Sequence, residues 1–142
     1  MHCQSFYERY TSFRCSMFME EAPVLETDCI RTNDSSEIGE RLSAFDTLPD
    51  IFICANDFIA LDVMYHLKEM KKNVPEDVWL CGFDDSPESR ILSPNLTTVH
   101  IHTQIMAYAA AHLLSTRIRE PHLDYRTVYT ETELIYRGST PF

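Results

Sequence analysis

The run Trp79–Ser89, WLCGFDDSPES, stays apolar as far as a glycine and then presents two adjacent aspartates, Asp84 and Asp85. Paired carboxylates at the end of a strand can hold a metal ion, move a proton or accept hydrogen bonds from ligand hydroxyls. A second polar corner, Asn56-Asp57, follows the apolar run IFICA at residues 51–55. Arg9, at the start of a helix-like segment, offers donors that suit ring or hydroxyl oxygens. His100 and His102 lie two apart, so on a strand they share a face.

Each chemistry carries its own requirements. The sequence has no G-x-S-x-G elbow and no phosphate-cradling glycine loop, and its three glycines are spread through the chain. Nothing places a Ser/His/Asp set, so the chain reads as a non-enzyme. A hard cation could draw on Asp84, Asp85 and Glu88, but a calcium loop alternates its ligands around a central glycine, and DDSPES does not. Two histidines lack a third clear ligand. No metal or cofactor is therefore expected. The bland account of the aspartates is helix capping or loop solvation, and that of Arg9 is a surface arginine. Against it stands the charged acceptor at a strand end, which makes stronger and more directional bonds to hydroxyls than a neutral one.

The elements that must position these residues alternate between helical and extended patterns. Residues 6–19 read as a helix with Tyr10, Phe13, Met17 and Phe18 near one face, and residues 24–30, VLETDCI, as a strand. Residues 36–45 read as a short helix, and residues 51–55 as a strand buried on both faces. Ile59, Val63, Leu67 and Met70 then recur at helical spacing. Residues 78–83 form a second apolar strand, completing one βαβ unit of about thirty residues. Residues 96–101 are extended. Thr103 caps a long helix over 104–119 with a stripe of Ile105, Met106, Ala109, Ala110, Leu113 and Ile118, and residues 127–136 are β-rich. The class is α/β with a mostly parallel sheet flanked by helices. Ligands of such sheets bind beyond the carboxyl ends of the strands, where Asn56 and Asp84 both fall.

Composition sets the outer bounds. A chain of 142 residues, 44% hydrophobic and 24% charged, suits one globular domain. The formal charge of −10 disfavours a direct grip on nucleic acid phosphates. The five cysteines form no C-x-x-C pair, and reduced thiols fit the cytoplasm. No apolar run is long enough for a membrane span, and the first residues show no apolar signal-peptide core.

Five segments, CANDFIAL, VPEDV, GFDD, PNLTTV and ELIYRGST, occur in an order and spacing that resemble the effector-binding domain of LacI/GalR transcription regulators. Upstream, RYTSFR resembles the family's R-x-x-G-F helix start, with Ser12 in place of the glycine. The resemblance covers essentially the whole chain. It implies a type I periplasmic-binding-protein-like fold, in which two α/β lobes hold a small molecule, often a sugar or related polyhydroxy compound.

Residue by residue, the resemblance implies that Arg9, Asn56 and Asp84 contact the effector; Asp85 is assigned to loop or helix-start structure. Where many relatives place a ring that stacks on the ligand, ungapped spacing lands on Asp34, a departure that bears on the ligand class. The resemblance further implies that residues 1–142 are a partial domain, the second lobe. The helix over 103–120 would then pack on a first lobe outside this chain. DNA would be bound only through a head domain also outside it. A homodimer without membrane attachment is implied, with the apolar pair Ile91-Leu92 suiting its surface. A solute-binding protein of a sugar transport system shares the fold and is the alternative.

Overall fold

The computed structural model describes residues 4–32 and 34–141. Helix α1 (Gln4–Met19) and α2 (Ser35–Ser43) precede strand β1 (Ile51–Ile53), α3 (Asp57–Glu69) and β2 (Trp79–Asp84). Strand β3 (Thr97–Ile101), α4 (Thr103–Arg119) and β4 (Thr132–Ile135) follow. The four strands form one sheet in the order β1-β2-β3-β4. The first two pairings are parallel, Phe52 facing Leu80 and Gly82 facing Thr98, and β4 runs antiparallel to β3. No described helix is long and apolar enough to cross a membrane.

Local chemistry explains the central βαβ unit. Asn56 caps α3 by accepting from the Ile59 N–H at 2.9 Å, and Asp57 puts a negative charge in the first turn, where the helix dipole favours it. Ala60, Val63 and Leu67, spaced three and four apart, are fully or nearly fully buried. They pack with Ile38 and Leu42 of α2 and with Leu80, Val78 and Leu96 in a single core on one sheet face. The last turn yields to a left-handed Lys71 (φ 57°).

Four expectations are corrected. Residues 24–30 form no strand; a short 3-10 turn at Glu26–Asp28 stands there. Its Glu26 is taken by Arg14, Arg31 and Tyr10, so local side-chain bonds replace a ladder that would need a neighbouring strand. Strand β1 is shorter than 51–55 and lies at the sheet edge, with Ile51 36% and Ile53 52% exposed, so it is covered on one face only. Thr103 is the first helical residue of α4 rather than its cap; His102 precedes it and makes no side-chain capping bond. The β-rich segment 127–136 contributes only the four residues of β4.

Helices α1 and α4 contain no buried residue. On α4 this leaves Ile105, Met106, Tyr108, Leu114 and Ile118 exposed. The total accessible surface is 10430 Å². A folded monomer of 16.5 kDa is expected to show about 7,500 Å². The surplus is the scale of a protein–protein interface.

Candidate functional site

The carboxyl ends of β1 and β2 lie side by side, because Ile53 pairs with Cys81 and the Cys54 N–H donates to the Cys81 carbonyl at 2.8 Å. Arg9 of α1 bridges them. Its Nη1 donates to the Ala55 carbonyl at 2.6 Å and its Nη2 to Asp84 Oδ1 at 3.1 Å. The guanidinium lies 3.7 Å from the Phe83 ring centroid, a cation–π contact that fixes its plane. One arginine thus joins the corner after β1 to the aspartate at the end of β2. Asp84 is 35% exposed. Partial burial pushes its carboxyl above the usual carboxylate range; Arg9 opposes this, and the charge of Asp57 adds to it. The group is a partly desolvated acceptor beside a fixed donor.

Asn56 sits next to the bridged carbonyl. Its Oδ1 is used in capping α3, so only its Nδ2 donors remain for a ligand. The two roles separate by substitution. Asn56→Asp, which keeps the capping oxygen, is expected to hold the melting temperature while weakening ligand affinity. Asn56→Ala is expected to lose about 1 kcal/mol as well. Thermal melts beside a binding titration check this.

Asp85 is not a loop-solvating residue. Its side chain is only 3% exposed and accepts from Arg90 Nη2 at 2.6 Å and Arg137 Nη2 at 2.5 Å, with His100 Nδ1 at 2.9 Å. Burial raises its pKa, but the hydrogen bonds from Arg90 and Arg137 outweigh that and hold the carboxyl well below the usual range. Asp57 is 1% exposed and accepts from the Ser86 N–H at 2.7 Å and Thr98 Oγ1 at 2.6 Å. The sequence marked Asp57 as part of a polar corner but gave it no partner, and it did not single out Arg137. The N-D corner and the RGST segment were visible, but nothing in them showed where their side chains reach.

Asp34, where the resemblance expects a stacking ring, is the cap of α2, accepting from the Ser36 and Glu37 N–H groups. Among the described residues no group of three His, Cys, Asp or Glu side chains is spaced to hold a metal ion. His100 and His102 stack edge to face at 5.0 Å, and His100 is engaged by Asp85.

An arginine and a carboxylate meet at the carboxyl ends of adjacent parallel strands, the edge at which open α/β sheets bind their ligands. The chain belongs to the periplasmic binding protein-like domain family, which matches residues 2–140, and within it to the effector-binding domains of LacI-family regulators. It is 40% identical over 95 residues to the HTH-type transcriptional regulator GalR of Lacticaseibacillus casei, covering 67% of this chain and 29% of that protein. A LacI-family regulator from Sanguibacter keddieii superposes with a TM-score of 0.80 at 30% identity, over 94% of this chain and 52% of the other. The cellobiose complex of the regulator CelR gives 0.84 at 25% identity, over 94% and 42%. The chain spans about a third of the length of the curated relatives it matches, from 29% to 41%.

Proposed function

We propose that this chain is the effector-sensing lobe of a LacI/GalR-type transcription regulator and that it takes a sugar or related polyhydroxy compound at the ends of β1 and β2. The observation that carries the reading is the Arg9–Asp84 pair, a fixed guanidinium and a partly desolvated carboxylate at 3.1 Å. Ligand hydroxyls would donate to Asp84, ring or hydroxyl oxygens would accept from Arg9, and Asn56 Nδ2 would add a third bond. The cellobiose bound by CelR supports a carbohydrate. The role is binding rather than catalysis, in the cytoplasm, where a regulator meets its operator.

Residues 1–142 would form the second lobe. In a longer polypeptide α4 would pack on a first lobe, and a DNA-binding head would respond by linkage: the ligand favours one lobe arrangement, and that arrangement changes how the heads meet DNA. Dimerisation through this lobe is supported by Ile91, 82% exposed beside the half-buried Leu92.

Titration of the chain with cellobiose, ribose and adenine, followed by 1H–15N spectra, tests the ligand class. Saturable shifts at Arg9, Asn56 and Asp84 with a sugar are the expected result. Shifts at those residues with adenine and not with the sugars would overturn the polyhydroxy reading. Because a hydroxyl donates best to the ionised carboxylate, sugar affinity should fall on acidification. Its midpoint should lie above the ordinary aspartate value of 3.8, since burial raises Asp84. A midpoint at or below that value would contradict the assignment.

A further inference from the structure

We infer that Asp85 is a positioning residue for Asp84, and that Arg137, 52 positions further along the chain, holds it in that role. The inference rests on the reading of Asp84 as the hydroxyl acceptor. Two consecutive non-glycine residues, Asp84 at φ 107° and Asp85 at φ 51°, turn the chain away from the sheet at the end of β2. L-residues resist this backbone, which persists only where the surroundings over-determine it. Asp84 is tied by its ion pair with Arg9.

Asp85 supplies the fixing bonds. Its Oδ1 accepts from Arg137 Nη2 at 2.5 Å and from Ser89 Oγ at 3.4 Å. Its Oδ2 accepts from Arg90 Nη2 at 2.6 Å and faces His100 Nδ1 at 2.9 Å. Its own N–H donates to Thr98 Oγ1 at 3.3 Å. These anchors come from the 3-10 turn at Pro87–Arg90, from β3 and from the segment after β4. Arg137 is itself pinned, donating through Nη1 to Ser89 Oγ at 2.8 Å and to the Leu96 carbonyl at 2.9 Å. The backbone that presents the acceptor is therefore set by an ion-pair cluster that need not touch the ligand.

The test follows the Asp84 amide and the Arg9 Nε signals in 1H–15N spectra of the full chain. Asp85→Asn and Arg137→Met are expected to shift and broaden both signals and to weaken binding of cellobiose, the probe used, at least 5-fold. The amides of Leu67 and Leu80 in the core should stay in place. Arg137→Lys, which keeps a cation beside Asp85, should retain the wild-type Asp84 and Arg9 signals, as a purely charge-blind packing role would not require. Should Arg137→Met fail to fold, Asp85→Asn and Arg137→Lys still decide the matter. Unmoved Asp84 and Arg9 signals in Asp85→Asn overturn the inference. The spectral readout is independent of any sugar, so a wild-type chain that binds no cellobiose sinks the functional reading alone.

Discussion

Asp57→Ala is expected to destabilise the chain by about 3–5 kcal/mol, the cost of removing one partner from a buried charged network. Asp57 is 1% exposed, and both oxygens are in use: one takes the Ser86 N–H, the other the hydroxyl of Thr98, itself 0% exposed. Removing the carboxylate leaves the buried Thr98 hydroxyl and the part-buried Ser86 N–H without this acceptor. It also removes the negative charge from the first turn of α3. Against a typical total of about 5–15 kcal/mol, the loss would be a large fraction.

The same locus is cramped. A Cβ at Gly82 would lie 2.1 Å from Asp57 Oδ1, so glycine there is a requirement of the carboxylate's seat on the sheet. Asp57→Asn, which retains one acceptor oxygen, should cost about half as much as Asp57→Ala. Urea midpoints measured with matched slopes give the comparison. A loss of under about 1 kcal/mol for Asp57→Ala would mean that water replaces the carboxylate, and the account would fail.

Asp84→Gly should move function and stability in opposite directions. Glycine adopts φ 107° at no steric cost, whereas an aspartate there stores strain of about 1–3 kcal/mol. The substitution also removes a carboxylate whose ionised form is disfavoured by burial. What it forfeits is the ion pair with Arg9, a partly exposed contact with side chains 25% and 35% accessible, worth about 0–1 kcal/mol. Glycine also costs about 0.4–1 kcal/mol in unfolded-chain entropy, and the balance still favours a small gain, about 0.5 kcal/mol, in folding. Under the proposed binding mode, ligand affinity should meanwhile drop about 10-fold or more, since each hydroxyl bond to a charged acceptor is worth about 1.5–3 kcal/mol. A lower melting temperature for Asp84→Gly would show that the Arg9 pair outweighs the strain. Retained sugar affinity would remove Asp84 from the site.

The central unit from Ile51 to Asp84 was legible because its information is local. Helical spacing of Ile59, Val63, Leu67 and Met70, a polar Asn56-Asp57 corner and short apolar runs on either side suffice to define strand, helix and strand, and the parallel connection places both strand ends on one edge. Arg9, Asn56 and Asp84 were singled out as candidates by the family resemblance, with Asn56 and Asp84 also marked by their place at strand ends. Residues 24–30 show where such reasoning stops. Their composition suits a strand, yet a strand exists only if another offers its hydrogen-bonding edge, and here Glu26 is claimed by two arginines and a tyrosine instead.

The burial of the first apolar run was likewise undecidable from its own residues, because coverage of Ile51 and Ile53 depends on what packs over the edge. The two buried networks beside the ends of β1 and β2, Asp57 with Thr98 and Asp85 with Arg137, join residues 41 and 52 positions apart. No periodicity encodes such a pairing. The sequence by itself determined the βαβ unit, its polar corners and the family. Only the tertiary structure decided which aspartate stays partly exposed and which is buried among arginines, since long-range ion pairs and left-handed backbone are properties of the packed chain.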